Sequence, residues 1–287
     1  MLLITGATGA VGRHLVATLL AGGADVRAVS RHPEAAGLPA GVEVVAADPS
    51  RPDTLDAALA GVTGLFLHPR AVGDAAYELV ALARKSGVAR VVALSAINVD
   101  DDDADQPSRY RGDRNREADQ AVAGSGLSWT SLRASSFAGN TAQAWGGQLR
   151  AGDVVRYPYA GFQESLVDER DLAEVAARAL TTDELAGRRL RLTGPESTTH
   201  AGLVDTIGAV LDRPLRFDEV EPETAVRGMV AAGQPEPFVA ALMRRYARYA
   251  QTPQHLPTDD IQQALGRPAR TYAGWVADHA DAFRSGR

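Results

Sequence analysis

The sequence predicts an α/β protein in which a parallel, doubly wound sheet is covered by helices on both faces and joined to a smaller, helix-rich C-terminal lobe. Three observations carry this. Short apolar runs alternate with amphipathic segments through the first half of the 287-residue chain, the pattern of strands buried on both faces. A glycine-spaced turn joins the first apolar run to the first helical segment. After Asn140 the alternation breaks, and prolines at 214, 222, 235, 237, 253, 257 and 268 punctuate helix-rich sequence.

The first strand, residues 2–5, runs into TGATGAVG, where Gly6, Gly9 and Gly12 have the spacing GxxGxxG, and a helix follows over 10–21. A helix N-terminus presents backbone N–H groups without intrahelical partners and the positive end of its dipole, so the turn predicts a pyrophosphate site. Gly6 permits the tight turn, Gly9 lets the backbone approach the phosphates, and Gly12 lets the helix pack closely on the sheet. Thr8, Ala10 and Val11 complete the expected set of contacts. A second strand at 25–30 closes the βαβ unit of a Rossmann sheet. Strands at 42–46, 64–68, 90–95 and 128–133 follow, with helices at 53–59, 74–86 and 113–124 between them. Asp53, Asp74 and Asp113 stand at or near those helix starts and predict N-caps. Residues 1–150 form the expected nucleotide-binding domain and 151–287 mainly a capping lobe, with the helix 168–180 and the strand 188–193 returning to the sheet. Ligands of open α/β sheets bind at the carboxyl ends of the strands, which the lobe would cover.

The end of the second strand reads VRAVSRHP. An acidic residue there accepts from a ribose 2′-hydroxyl, whereas arginine pairs with a 2′-phosphate. Ser30 and Arg31 therefore predict NADP(H). Asp48, in VVAADPS, is placed to reach the adenine edge or to cap a helix. His68, at the rim of the crevice, could touch the cofactor, donate a proton or shape the loop before Pro69. Ser95 and Asn98 follow the fifth strand, and Ser135 and Ser136 the sixth; each could bond a carboxamide, a substrate carbonyl or a water. Phe137, Trp145, Tyr157, Tyr159 and Phe162 could stack on a planar substrate or form inter-lobe core. The expected substrate wall is Asn98, Ser136, Phe137 and Trp145.

Composition narrows the classes. The chain has no cysteine, which excludes disulfides and thiol chemistry. No run approaches the ~18 apolar residues of a membrane span, and a strand starting at residue 2 leaves no room for a signal peptide. A cytoplasmic protein without a membrane partner is expected. A net charge of −6 disfavours nucleic acid. Arg244, Arg245 and Arg248 read as a solvated helix face, and the acidic run 100–105 as an exposed loop. The histidines, at 14, 32, 68, 200, 255 and 279, lack metal-binding spacing, and no GxSxG elbow occurs. Neither a metal nor a serine nucleophile is expected.

TGATGAVG, Arg31, SGLSWTSLRASSFAGN at 125–140 and LTGPE at 192–196 resemble the NmrA-like branch of the atypical short-chain dehydrogenases, and LGRPARTYAGWVADH at 265–279 resembles a bacterial subgroup of it. The resemblance implies a Rossmann fold, an NADP(H) site and a cleft under the C-terminal lobe. It implies no single activity, because the branch holds quinone and small-molecule reductases, enzymes of phenolic metabolism and NADP-binding regulators. Short-chain reductases commonly use a Tyr-x-x-x-Lys pair. Here Tyr110 precedes Arg114, which cannot relay a proton, and Asn115 stands where relatives carry the lysine. Ser95, Tyr110 and Asn115 are the catalytic candidates. The leading expectation is an NADPH-dependent reductase of a quinone, aromatic ketone or similar small molecule. The alternatives are a non-catalytic NADP(H) sensor with a protein partner, and an isomerase or epimerase that uses bound cofactor transiently.

Overall fold

Strand alternation sorts the apolar residues of the first half onto two faces. The computed structural model describes residues 1–250 and 256–284; Pro253 and His255 lie outside them. In chain order come β1 (Leu2–Ile4), α1 (Ala10–Ala21), β2 (Val26–Ser30), β3 (Glu43–Ala46), α2 (Asp56–Leu59), β4 (Gly64–Leu67), α3 (Pro69–Val72), α4 (Ala76–Lys85), β5 (Arg90–Ala96), α5 (Asn115–Ala123) and β6 (Ser128–Ala134). Then follow α6 (Gly139–Ala151), β7 (Val154–Tyr157), β8 (Gln163–Glu164), α7 (Glu169–Thr181), β9 (Arg188–Leu192), β10 (Thr198–Thr199) and α8 (His200–Leu211). The chain continues through β11 (Arg216–Glu219), α9 (Pro222–Ala231), α10 (Glu236–Tyr249), α11 (Asp260–Leu265) and α12 (Tyr272–Asp278).

Seven strands pair in the order β3-β2-β1-β4-β5-β6-β9, all parallel. This is the doubly wound Rossmann order with a seventh strand added. Leu2, Ile4, Phe66, Val92 and Leu132 face α1 and α7, while Leu3, Leu65, Leu67 and Val91 face α2, α4 and α5. The strand order reverses between β1 and β4, which opens a crevice at their carboxyl ends.

The lobe has its own core, built from Trp145, Leu149, Phe162, Ile207, Val239 and Trp275 among others. Helix α6, assigned to the first domain on sequence, supplies Trp145 and Leu149 to that core. Helix α11 instead packs Ile261 and Ala264 into the sheet's core. Two small sheets, β7 with β11 and β8 with β10, stand where only helix-rich sequence was read; runs of two to four residues are too short to show a period.

Aspartate capping is a second difference. Helices α2, α4 and α5 have no side-chain cap, because Asp53 sits in a short 3-10 turn, Asp74 pairs with Arg114 and Asp113 with Arg70. Asp168 and Thr199 do cap α7 and α8. The acidic run is an exposed loop as expected, with Asp100, Asp102 and Asp103 exposed, but its carboxylates are paired. Asp100 pairs with Arg133, Asp103 with Arg116, and Asp105 with both Arg244 and Arg248, so this loop ties α10 to the sheet domain. No described helix is long and apolar enough to cross a membrane.

Candidate functional site

The three glycines of the first turn meet three different demands. Gly6 adopts φ +66°, and a Cβ there would lie 2.6 Å from the Cβ and Cγ of His68. A Cβ on Gly12 would lie 2.1 Å from the carbonyl oxygen of Gly6. At Gly9 the nearest atom would be that same oxygen at 3.3 Å, so what Gly9 keeps clear is the approach from the crevice. Helix α1 has no side-chain cap, which leaves its first N–H groups without a side-chain acceptor. Thr8 and Ala10 are exposed beside them, and Val11 is buried under the helix.

Arg13, which the sequence reading missed, clamps this turn to the loop after β2. Its Nε donates to the Thr8 carbonyl at 3.0 Å, and its terminal nitrogens donate to Gly37 and Ala36 carbonyls at 2.8 and 3.1 Å. Arg31 begins that loop and is exposed. Ser30 Oγ accepts from the His32 N–H at 3.1 Å. Asp48 accepts from the N–H and hydroxyl of Ser50 at 3.0 and 2.7 Å. Burial would raise the Asp48 carboxyl, but these bonds and the charge of Arg31 hold it below its ordinary value.

His68 caps α3, its Nδ1 accepting from the Arg70 N–H at 3.3 Å. The proton of the neutral ring is therefore on Nε2, the atom on the Gly9 side. Burial lowers the imidazole's pKa and outweighs the opposing charge of Asp113. Ser95 and Asn115, both buried, meet at the start of α5. The Ser95 hydroxyl donates to the Asn115 carbonyl at 3.0 Å, and the Asn115 amide donates to Ser108 Oγ at 3.0 Å. Tyr110 is 40% exposed, and Arg114 is taken by Asp74 and the Arg109 carbonyl. Tyr110 and Arg114 line one recess together with Asp103, Ala104 and Arg109. Asn98 is half-buried on the loop after β5.

Past the ends of β5 and β6, Ile97, Ser135, Ser136, Gln163, Glu164, Ser165 and Arg245 line a recess of about 10 Å³, roughly the room one water needs. Ser136 Oγ donates to Glu164 Oε2. Arg245 donates to the same carboxylate oxygen at 3.2 Å and to Ser136 Oγ at 3.3 Å. His200, bonded through Nδ1 to the Pro158 carbonyl at 3.3 Å, sets Nε2 3.7 Å from Glu164 Oε1. Burial would raise the Glu164 carboxyl, but His200, Arg245 and Ser136 hold it at about 2. Arg245 thus does not belong to a solvated face: its side chain is 15% exposed and braces the lobe to β8.

The aromatic residues divide. Trp145 is 2% exposed and Phe162 fully buried. Trp145 stands edge-on to Tyr157 and His200 at 5.6 and 5.9 Å, because α6 turns it into the lobe. Trp145 is therefore lobe core and not substrate wall. The Tyr157 hydroxyl bonds that of Tyr246 at 3.2 Å, and Tyr159 is half-buried beside the same ring. Phe137 is half-buried against the sheet's core.

A doubly wound sheet with a glycine turn and an uncapped helix start at its crevice defines a dinucleotide-binding protein. The chain belongs to the NAD(P)H-binding family, whose model matches residues 6–183. It is 38% identical over 285 residues, 99% of each chain, to a (4-alkanoyl-5-oxo-2,5-dihydrofuran-3-yl)methyl phosphate reductase of Streptomyces griseus. It is 32% identical over 293 residues, again 99% of each, to an NAD(P)H azoreductase of Xenophilus azovorans. In fold it is similar to the crystal structure of an NADPH-dependent quinone oxidoreductase of Escherichia coli, with a TM-score of 0.82 and 21% identity over 98% of this chain and 100% of that one.

Proposed function

We propose that the protein is an NADPH-dependent reductase of small, conjugated organic acceptors, of the kind represented by quinones, aromatic ketones, azo compounds and acyl butenolides. One observation carries the reading: both reductase relatives align over 99% of the chain, so the lobe that closes the crevice is shared along with the cofactor half. The residues present fit the cofactor. A Cβ at Gly9 would intrude on the open side of the turn, and α1 starts without a side-chain cap. Bound there, NADPH would supply the hydride.

The chain's own residues would do the rest. The Gly6–Gly12 turn and the first amides of α1 hold the pyrophosphate, with Thr8, Ala10 and Val11 around it. Arg31 offers a guanidinium to the 2′-phosphate, and Arg13 fixes that loop against the turn. His68 presents Nε2–H toward the phosphate turn. Ser95 and Asn115 brace the floor of the crevice through their mutual bond. Ser136 and Arg245 line a recess with room for one water, which would protonate the acceptor in place of a Tyr–Lys pair. A cytoplasmic setting, where NADPH is made, suits a chain without cysteine.

The test is steady NADPH consumption by the purified protein with a panel of quinones, aromatic ketones, an azo dye and an acyl butenolide. Turnover of one class is the expected result. Tight NADPH binding with no consumption across the panel would overturn the reading.

A further inference from the structure

Four arginines cluster between β5 and the first turn of α5, and three of them have carboxylate partners. Arg109 pairs with Glu117 at 2.9 Å, Arg114 with Asp74 at 2.5 Å and Arg116 with Asp103 at 2.6 Å. Arg111 differs. No carboxylate lies within ion-pair distance of it among the described residues. Its guanidinium lies 3.7 Å from the centroid of the Phe238 ring and donates to the side-chain oxygen of Gln234, both neutral groups of the lobe. Arg111 is half-buried. Burial lowers its pKa and the charge of Arg70 lowers it further, with Asp113 opposing. A partly desolvated cation with no carboxylate in contact is unfavourable, so the guanidinium has room for a further anionic partner.

Its position adds a direction. Arg70, just after β4, and Tyr157, at the end of β7, both fall within the electrostatic reach of Arg111, so the guanidinium stands where the segment before α5 meets the lobe. Phe238 and Arg245 are seven residues apart on α10, two turns along one helix face and about 10 Å apart at 1.5 Å per residue. Arg111 and the Ser136–Arg245 recess are thus separated by about the length of a small molecule.

We propose that Arg111 recognises an acid group, phosphate or carboxylate, carried by the substrate at the end remote from the Ser136–Arg245 recess. The word substrate rests on the reductase reading; the anion site does not. A guanidinium fork takes either group through two parallel N–H donors, and Phe238 and Gln234 hold the fork in place before the ligand arrives.

The protein–NADP⁺ complex is titrated calorimetrically at low ionic strength with three probes: an acyl butenolide bearing a hydroxymethyl phosphate, its carboxymethyl analogue and the free hydroxymethyl compound. At least one acid probe is expected to bind about tenfold or more tighter than the alcohol, the scale of a charged hydrogen bond, and the tighter acid identifies the group. Arg111→Met should reduce the gap below about threefold and Arg111→Lys should keep part of it. The NADP⁺ affinity of the variants reports folding, and Arg111→Gln replaces a methionine variant that does not fold. Equal binding of all three probes, binding of none, or a full gap retained in Arg111→Met would overturn the proposal. NADPH consumption is read separately. Acid preference without turnover of any acceptor leaves the anion site standing and removes the reductase reading, and turnover without acid preference does the reverse.

Discussion

Arg31 is one exposed side chain, and under the proposed function the choice between two cofactors rests on it. We expect NADPH to bind more tightly than NADH, and Arg31→Ala to weaken NADPH by about 1.5–3 kcal/mol with little effect on NADH, because only the 2′-phosphate loses a charged partner. Fluorescence titration of both cofactors checks this; equal affinities in the parent protein would refute it. Glu164 makes a second claim, about pH. Its carboxyl is held at about 2 against an ordinary 4.5, so the folded state prefers the ionised form. The resulting stability, about 3 kcal/mol, is fully present above pH 4.5 and is lost as the pH falls from there toward 2. Glu164→Gln should therefore lower the urea midpoint at pH 7 and narrow its gap to the parent as the solution is acidified. Arg31 stands out in the sequence as a candidate because the reading depends only on its position after β2. Glu164 and Arg245 do not, since 81 residues separate them and no spacing rule joins them. One signal was available: Arg245 falls among Phe238, Leu242, Tyr246 and Tyr249, the apolar positions of α10, where a solvated arginine does not belong.

The β1–turn–α1 unit shows how an element divides its work among its glycines. At Gly12 the obstruction to a Cβ is backbone, 2.1 Å away, and cannot rotate aside. Gly12→Ala should destabilise the protein by about 1–3 kcal/mol, as overpacking does, and weaken the cofactor because the whole turn must move. Gly9→Val should instead abolish NADPH binding with an unchanged circular dichroism spectrum, since its branched side chain would project into the phosphates' approach. A Gly9→Val protein that still binds NADPH would show that the phosphates lie elsewhere. At this scale the sequence was most informative for elements whose partners are apolar and close along the chain. All six strands read in the first half lie in the sheet, because each is a buried run bounded by turn residues. β8 and β10 escaped because each is two residues long and is defined only by the other.

At the scale of the molecule, the chain passes repeatedly between the two bodies. It enters the lobe with α6, returns as α7 and β9, leaves again through α8, β11, α9 and α10, comes back as α11 and ends in the lobe with α12. Asp171, fully buried, fastens this weave by accepting from Arg267 at 2.7 Å and from the Arg270 N–H at 2.7 Å. A fragment of residues 1–150 lacks α7, β9 and α11 and would leave Phe66, Val92, Leu94 and Leu132 uncovered on one face of the sheet. We expect that fragment to aggregate and to show no cooperative thermal transition; a folded, NADPH-binding fragment would contradict this.

The weave also constrains redesign. The match to the NAD(P)H-binding family model ends at residue 183, before β9 has completed the sheet, so the matched segment does not contain the whole sheet. A transplanted lobe would bring foreign versions of α7's neighbours and of α11 into the sheet's core. If the proposed function holds, new acceptor ranges in this scaffold are to be sought by exchanging side chains in place along α10 and the segment between β5 and α5, which can be edited without cutting a single crossing.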